Sequence, residues 1–142
     1  MNLQQMRDKV QRMLIAEFGS ISIDSDSDFS IDFGTARTFI TVFQTASDAL
    51  MVRVFALVLS ELPLTDALYR WVATDGQDFY FGRSQLLERD DGQGLLMFEH
   101  HFLGECLDPD ELEFAVKGMG SVADNLGTEL QPKFGGVRFN EP

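Results

Sequence analysis

Asp24, Asp26 and Asp28 are the first residues whose spacing suggests chemistry, because alternating carboxylates open a calcium-binding loop. The pattern then breaks. The sixth position of such a loop needs a turn glycine and is Phe29; the twelfth needs a glutamate and is Thr35. A solvated acidic hairpin or strand edge accounts for the three aspartates better. His100 and His101 are the only histidines. Neighbours in a strand point to opposite faces, so the two cannot chelate one metal together. Glu99 and His101 share a face, but two ligands make a poor metal site. Cys106 follows closely, and Cys–His dyads do catalyse. Here nearness in sequence is all that pairs them. The glycines at 82 and 92–94 read as turns rather than as a phosphate-binding loop. Tyr69 and Trp71 read as rim and core of a helix rather than as a ligand cage. No enzyme activity, metal or cofactor is therefore expected.

The elements that position these residues are easier to read. Leu3, Met6, Val10, Met13, Leu14 and Phe18 recur at helical spacing, and Gly19 stops the run. Phe29, Ile31 and Phe33 alternate with polar residues, as in a half-buried strand. Residues 38–44 and 50–59 are rich in β-branched and aromatic side chains and predict two further strands. After Pro63, Thr65 caps a short helix with Ala67, Leu68, Trp71 and Val72 on its apolar stripe. Phe79-Tyr80-Phe81 predicts a fourth strand, and residues 95–103 a fifth. Asp108-Pro109-Asp110-Glu111 then opens a last helix with an N-cap, a proline at the first helical position and a capping-box glutamate. The order is helix, three strands, helix, two strands, helix. Short connections make this an α+β fold with an antiparallel five-stranded sheet.

Composition narrows the functional classes. The 142 residues suffice for a single domain, expected over 1–136, with 137–142 as a loose tail. Net charge is −12, and the 11 lysines and arginines are scattered, so neither nucleic acid nor an anionic membrane is an expected partner. A lone cysteine excludes an internal disulfide and fits a reducing compartment. No signal peptide precedes the first helix, and no apolar run approaches the roughly 20 residues of a membrane span. The cytoplasm is the expected location.

The strands carry the stronger functional signal. Met51, Arg53, Phe55, Leu57 and Leu59 would share one face of their strand, and Val52, Val54, Ala56 and Val58 the other. Phe39, Thr41 and Phe43 oppose Ile40 and Val42 in the same way. A two-layer domain needs only one apolar sheet face. Either helices cover both faces, or one face, centred on Phe39, Met51, Phe55 and Leu57, meets a partner. The partner reading predicts a homodimer, a bound polypeptide, or both.

Several stretches resemble the YbjN-type proteins, which share a fold with the type III secretion chaperones. They are Leu62-Pro63-Leu64, Leu68 with Trp71-Val72, and Gly76-Gln77 before Phe79-Tyr80-Phe81-Gly82. Leu107-Asp108-Pro109-Asp110-Glu111-Leu112, Ala123-Asp124 and Phe134-Gly135-Gly136 complete the pattern. The resemblance covers nearly the whole chain, most clearly residues 57–136. It implies a strongly bent sheet, a homodimer, and non-catalytic capture of an extended or partly unfolded peptide. It also implies a peptide-binding surface on the first helix and early strands, which in this chain means Leu3, Met6, Val10, Ile21 and Ile23. The alternative function, motivated by charge, is an acidic inhibitor or immunity-type regulator that blocks a basic site.

Overall fold

A computed structural model of the chain describes residues 1–140. Helix α1 (Leu3–Phe18) starts where Asn2 and Gln5 cap each other reciprocally at 2.8 Å, and its Met6, Val10 and Leu14 are buried on one stripe. Four strands follow: β1 (Ser22–Ile23), β2 (Phe29–Phe33), β3 (Ala36–Gln44) and β4 (Leu50–Leu62). Thr65 caps α2 (Asp66–Ala73), and a 3-10 turn (Asp75–Gln77) leads to β5 (Arg83–Glu88) and β6 (Gly94–Leu103). A second 3-10 turn (Gly104–Cys106) precedes α3 (Pro109–Phe134), where Asp108 accepts the Glu111 amide at 2.8 Å. The sheet is antiparallel throughout, in the order β1-β2-β3-β4-β6-β5.

The class expected from sequence is the one observed, with six strands rather than five. The added strand is β1, whose two residues are too short for any period to show. The acidic loop after it is a tight turn: Asp24 Oδ1 accepts the amides of Asp26 and Asp28 at 2.8 and 3.1 Å. The strand expected at 79–81 lies later in the chain, at Arg83–Glu88. Phe79 and Phe81 turn their rings onto the sheet instead, against Phe98 at 4.7 Å and His100 at 4.0 Å. Burial in that contact pushes the His100 pKa down, with its neighbour His101 adding to the effect.

All three helices lie on one side of the sheet. Ile40, Val42, Val52, Val54, Ala56, Leu96 and Phe98 point to that side and are buried. They meet the α1 stripe and Leu112, Val116, Met119, Ala123 and Leu130 of α3. Trp71 of α2 reaches the same layer through Gly76, which also abuts Ser84 beside Phe98. Register shifts between Leu57 and Leu62 bend β4 over this core.

Two glycines of α3 behave oppositely. A Cβ on Gly120 would sit 2.5 Å from the Phe33 ring, whereas one on Gly118 would meet nothing within 4 Å. Gly118→Ala should therefore raise stability by about 1 kcal/mol through helix propensity. Gly120→Ala should lower it by about 1–2 kcal/mol, because displacing a packed ring outweighs that gain. Thermal denaturation of the two variants should move in opposite directions.

Helix α3 is also pinned to the β2–β3 hairpin. Asp124 Oδ1 accepts the Thr35 amide at 2.8 Å and the Thr35 hydroxyl at 2.5 Å. These bonds hold the Asp124 carboxyl below its usual 3.8, with Arg138 contributing. A depressed pKa means the stabilisation is complete above the usual value and is lost as pH falls through the folded one. Asp28 shifts upward through burial and the nearby Asp24, so total stability mixes opposite signs. The stability difference between wild type and Asp124→Asn isolates the effect. It should be largest above about pH 4 and shrink steadily under acid denaturation.

The tail expected to be loose is tied down over its first residues. Val137 and Ser60 exchange both backbone hydrogen bonds at 2.8 Å. Gly136 makes that approach possible: its φ is +85°, and a Cβ there would lie 2.7 Å from the Ser60 carbonyl oxygen. Residues 141–142 lie outside the described residues.

Candidate functional site

The side of the sheet opposite the helices is built by strict alternation, and among the described residues no helix covers it. Strand β3 contributes Arg37, Phe39, Thr41 and Phe43; β4 contributes Met51, Arg53, Phe55 and Leu57. From β6 come Met97, Glu99, His101 and Leu103, and from β5 Arg83 and Gln85. Cross-strand pairing sets them in rows: Phe39 beside Phe55 beside Glu99 beside Arg83, then Phe43 beside Met51 beside Leu103. Phe39 and Phe55 stack at 5.2 Å with their planes 16° apart. Phe43 meets His101 edge-on at 6.1 Å. These aromatic pairs hold the rings flat on the sheet, half-buried and without a helix above them.

Glu99 sits at the centre of this face and is only 2% exposed. Arg53 Nε donates to Oε2 at 2.6 Å; Arg83 donates to Oε1 from Nη2 at 3.0 Å and from Nε at 3.2 Å. Arg53 Nη2 also reaches Gln85 Oε1 at 3.2 Å, and its guanidinium carbon lies 4.1 Å from the Phe55 ring centre. Two guanidinium groups thus hold this buried carboxylate by charge-assisted hydrogen bonds. The cluster fixes the spacing of β4, β6 and β5 and leaves the Arg83 side chain 60% exposed, with donors available to a passing backbone carbonyl.

The sequence-predicted residues divide sharply. Phe39, Met51, Phe55 and Leu57 share this one face, half-exposed. Met6 and Val10 do not join a surface: both are fully buried against the helix-side core. Leu3 and Ile21 are partly buried beside them, and Ile23 is 51% exposed on the two-residue edge strand. Sequence reasoning missed Met97, Leu103 and the Glu99 clamp, although the alternation in residues 95–103 contains them. It also missed Phe139, which lies 5.9 Å from Phe39. Of the groups considered for chemistry, His100 faces the helices, His101 the open side, and Cys106 is exposed in a 3-10 turn. Among the described residues no group of three metal-ligating side chains converges, and no helix is long and apolar enough to cross a membrane.

A family model described as T3SS (YopN, CesT) and YbjN peptide-binding chaperone 1 matches residues 4–142. Among solved structures, a chain of the ExsC–ExsE complex is similar, with TM-score 0.63 and 18% identity, covering 90% of this chain and 96% of that one. YbjN from E. coli is similar with TM-score 0.61 and 10% identity, covering 93% of this chain and 95% of that one. At these identities the likeness is one of fold. No curated protein matches the chain.

Proposed function

This chain belongs to the T3SS and YbjN peptide-binding chaperone family, and from that premise we propose that it captures an extended or partly unfolded polypeptide segment on the open face of its sheet. The observation that carries the reading is the one-sided placement of the helices. It leaves Phe43, Met51, Phe55 and Leu57, with Phe39 met at its edge by Phe139, as an apolar surface over which no helix of the described residues lies. The β5 edge strand borders that surface and offers backbone groups for a client strand to pair with. ExsC–ExsE, which shares the fold, is a complex of two polypeptides. The proposal includes the homodimer that the family resemblance implies.

The test uses reduced, carboxamidomethylated ribonuclease, a permanently unfolded polypeptide, labelled for fluorescence anisotropy. Saturable binding that persists at 1 M salt is expected, because there the Debye length is only about 3 Å and apolar contacts remain. Binding that vanishes with salt would transfer the function to charge, and no binding at any salt would sink the proposal. Native mass spectrometry on the same preparation reads the dimer directly.

A further inference from the structure

We propose that the corner of the sheet where residues 137–140 lie is a subsite for a basic–aromatic pair in a peptide, the aromatic side chain toward the open face and the basic one toward α3, and that Arg138 and Phe139 occupy it as an intramolecular stand-in. The inference rests on the peptide-capture reading and names the peptide chemistry that one part of the face selects.

The segment meets the sheet through one antiparallel bridge. β3 pairs with β4 from Gln44 and Leu50 to Thr38 and Ala56, so β4 beyond that point has an unpaired side. Val137 pairs there with Ser60 through two backbone bonds of 2.8 Å. Two residues on, in a turn, Phe139 sets its ring edge-on to Phe39, with the Arg37 guanidinium carbon 5.3 Å from its centre. Arg138, between them, turns the other way. It runs along α3 at Gly127, 3.6 Å from where a Cβ would be, and its charge lowers the Asp124 pKa. Asn140 closes the set: its amide reaches the Thr35 carbonyl at 3.1 Å, and its side chain donates to Asp32 at 3.3 Å and Ala36 at 3.4 Å. Arg37 in turn holds Asp32 through bonds of 2.7 and 3.0 Å.

Backbone pairing of this kind is blind to sequence; the pockets for alternate side chains carry the selection. Here those pockets are an acidic residue for the basic side chain, a ring and a guanidinium for the aromatic one, and a carboxylate for the amide. The chain's net charge of −12 favours the same basic partner. The subsite is continuous with the rest of the face, because Phe39 stacks on Phe55. The stand-in is held by the Val137–Ser60 bridge pair and the Asn140 bonds, and Phe139 stays 39% exposed. A resident segment lowers apparent client affinity by the fraction of molecules it closes.

The test compares the full wild-type chain with Phe139→Ala, using the same unfolded ribonuclease probe and two free peptides, Val-Arg-Phe-Asn and Val-Arg-Ala-Asn. Phe139→Ala should bind the probe about fivefold tighter, the size of one aromatic contact released. Val-Arg-Phe-Asn should displace the probe from that variant, and Val-Arg-Ala-Asn should not. Equal or weaker binding by the variant, or equal competition by both peptides, would overturn the proposal while leaving general capture standing. If neither protein binds the probe, peptide capture fails. Labelled Val-Arg-Phe-Asn then decides the subsite alone: saturable binding to Phe139→Ala supports it, and none ends it. Should the variant not fold, amide exchange in the unaltered chain replaces it. Saturating Val-Arg-Phe-Asn should speed exchange at Val137, and unchanged exchange would refute displacement.

Discussion

Phe55→Asp should lower affinity for an unfolded polypeptide about a hundredfold while leaving the folded chain within about 2 kcal/mol of wild-type stability. Phe55 lies in the middle row of the open face, between Phe39 and Glu99. A client covering it would desolvate the new carboxylate, and an unpaired charge in a dry contact is heavily penalised. In the free protein the same carboxylate stays half in water beside Arg53, so folding is little disturbed. Anisotropy titration and a urea melt on one preparation read both effects. Unchanged affinity would move the client off this face. A large loss of stability would mean that the ring is core after all. Leu57→Asp, one row away, should behave similarly.

Glu99→Ala should cost about 3 kcal/mol, which for a chain of this size is a fall in melting temperature of roughly 10 °C. The side chain is 2% exposed, and Arg53, at 22%, cannot swing fully into solvent once its partner is gone. The loss is thus mostly an unpaired guanidinium left beside Phe55 and Gln85. Two further variants sharpen the expectation. Glu99→Gln keeps an acceptor and should cost about half as much. Arg53→Met combined with Glu99→Met removes both charges and should recover most of the stability, as buried pairs often do when replaced together. If Glu99→Ala melts within about 1 kcal/mol of wild type, the clamp is ornamental and the sheet spacing has another cause.

How much of this was readable beforehand depends on how locally each feature is determined. The last helix announced itself because a cap needs only neighbouring residues, here Asp108 and Glu111. The alternation from Met51 to Leu57 was legible for the same reason, and it placed four residues on a common face. Phe79-Tyr80-Phe81 misled because β propensity rewards a ring that fits a pleated surface. It does not distinguish a ring in the ladder from one laid on top, as Phe81 is on His100. Arg53 stood out as the single charge among apolar neighbours, yet its partner is 46 positions away, beyond any local pattern. Met6 and Val10 show the converse case: both are buried in the core. Their stripe was correctly apolar, but a helix has one such stripe, and the sheet already uses it. The Phe139 contact with Phe39 joins residues far apart in the chain and left no mark in the sequence.

The strand order has a consequence for how the molecule is made. β6 lies between β4 and β5, so β5 emerges from a ribosome before the strand it must pair with exists. Met51 likewise waits for Leu103. Until β6 is synthesised the sheet ends at β4, and until the 26 residues of α3 follow, only α1 and α2 are there to cover its core side. During that interval apolar surface on both faces is open to water and to other nascent chains. A member of a chaperone family therefore passes through a stage of its own synthesis in which it needs shelter, and α3, the last helix made, ends that stage.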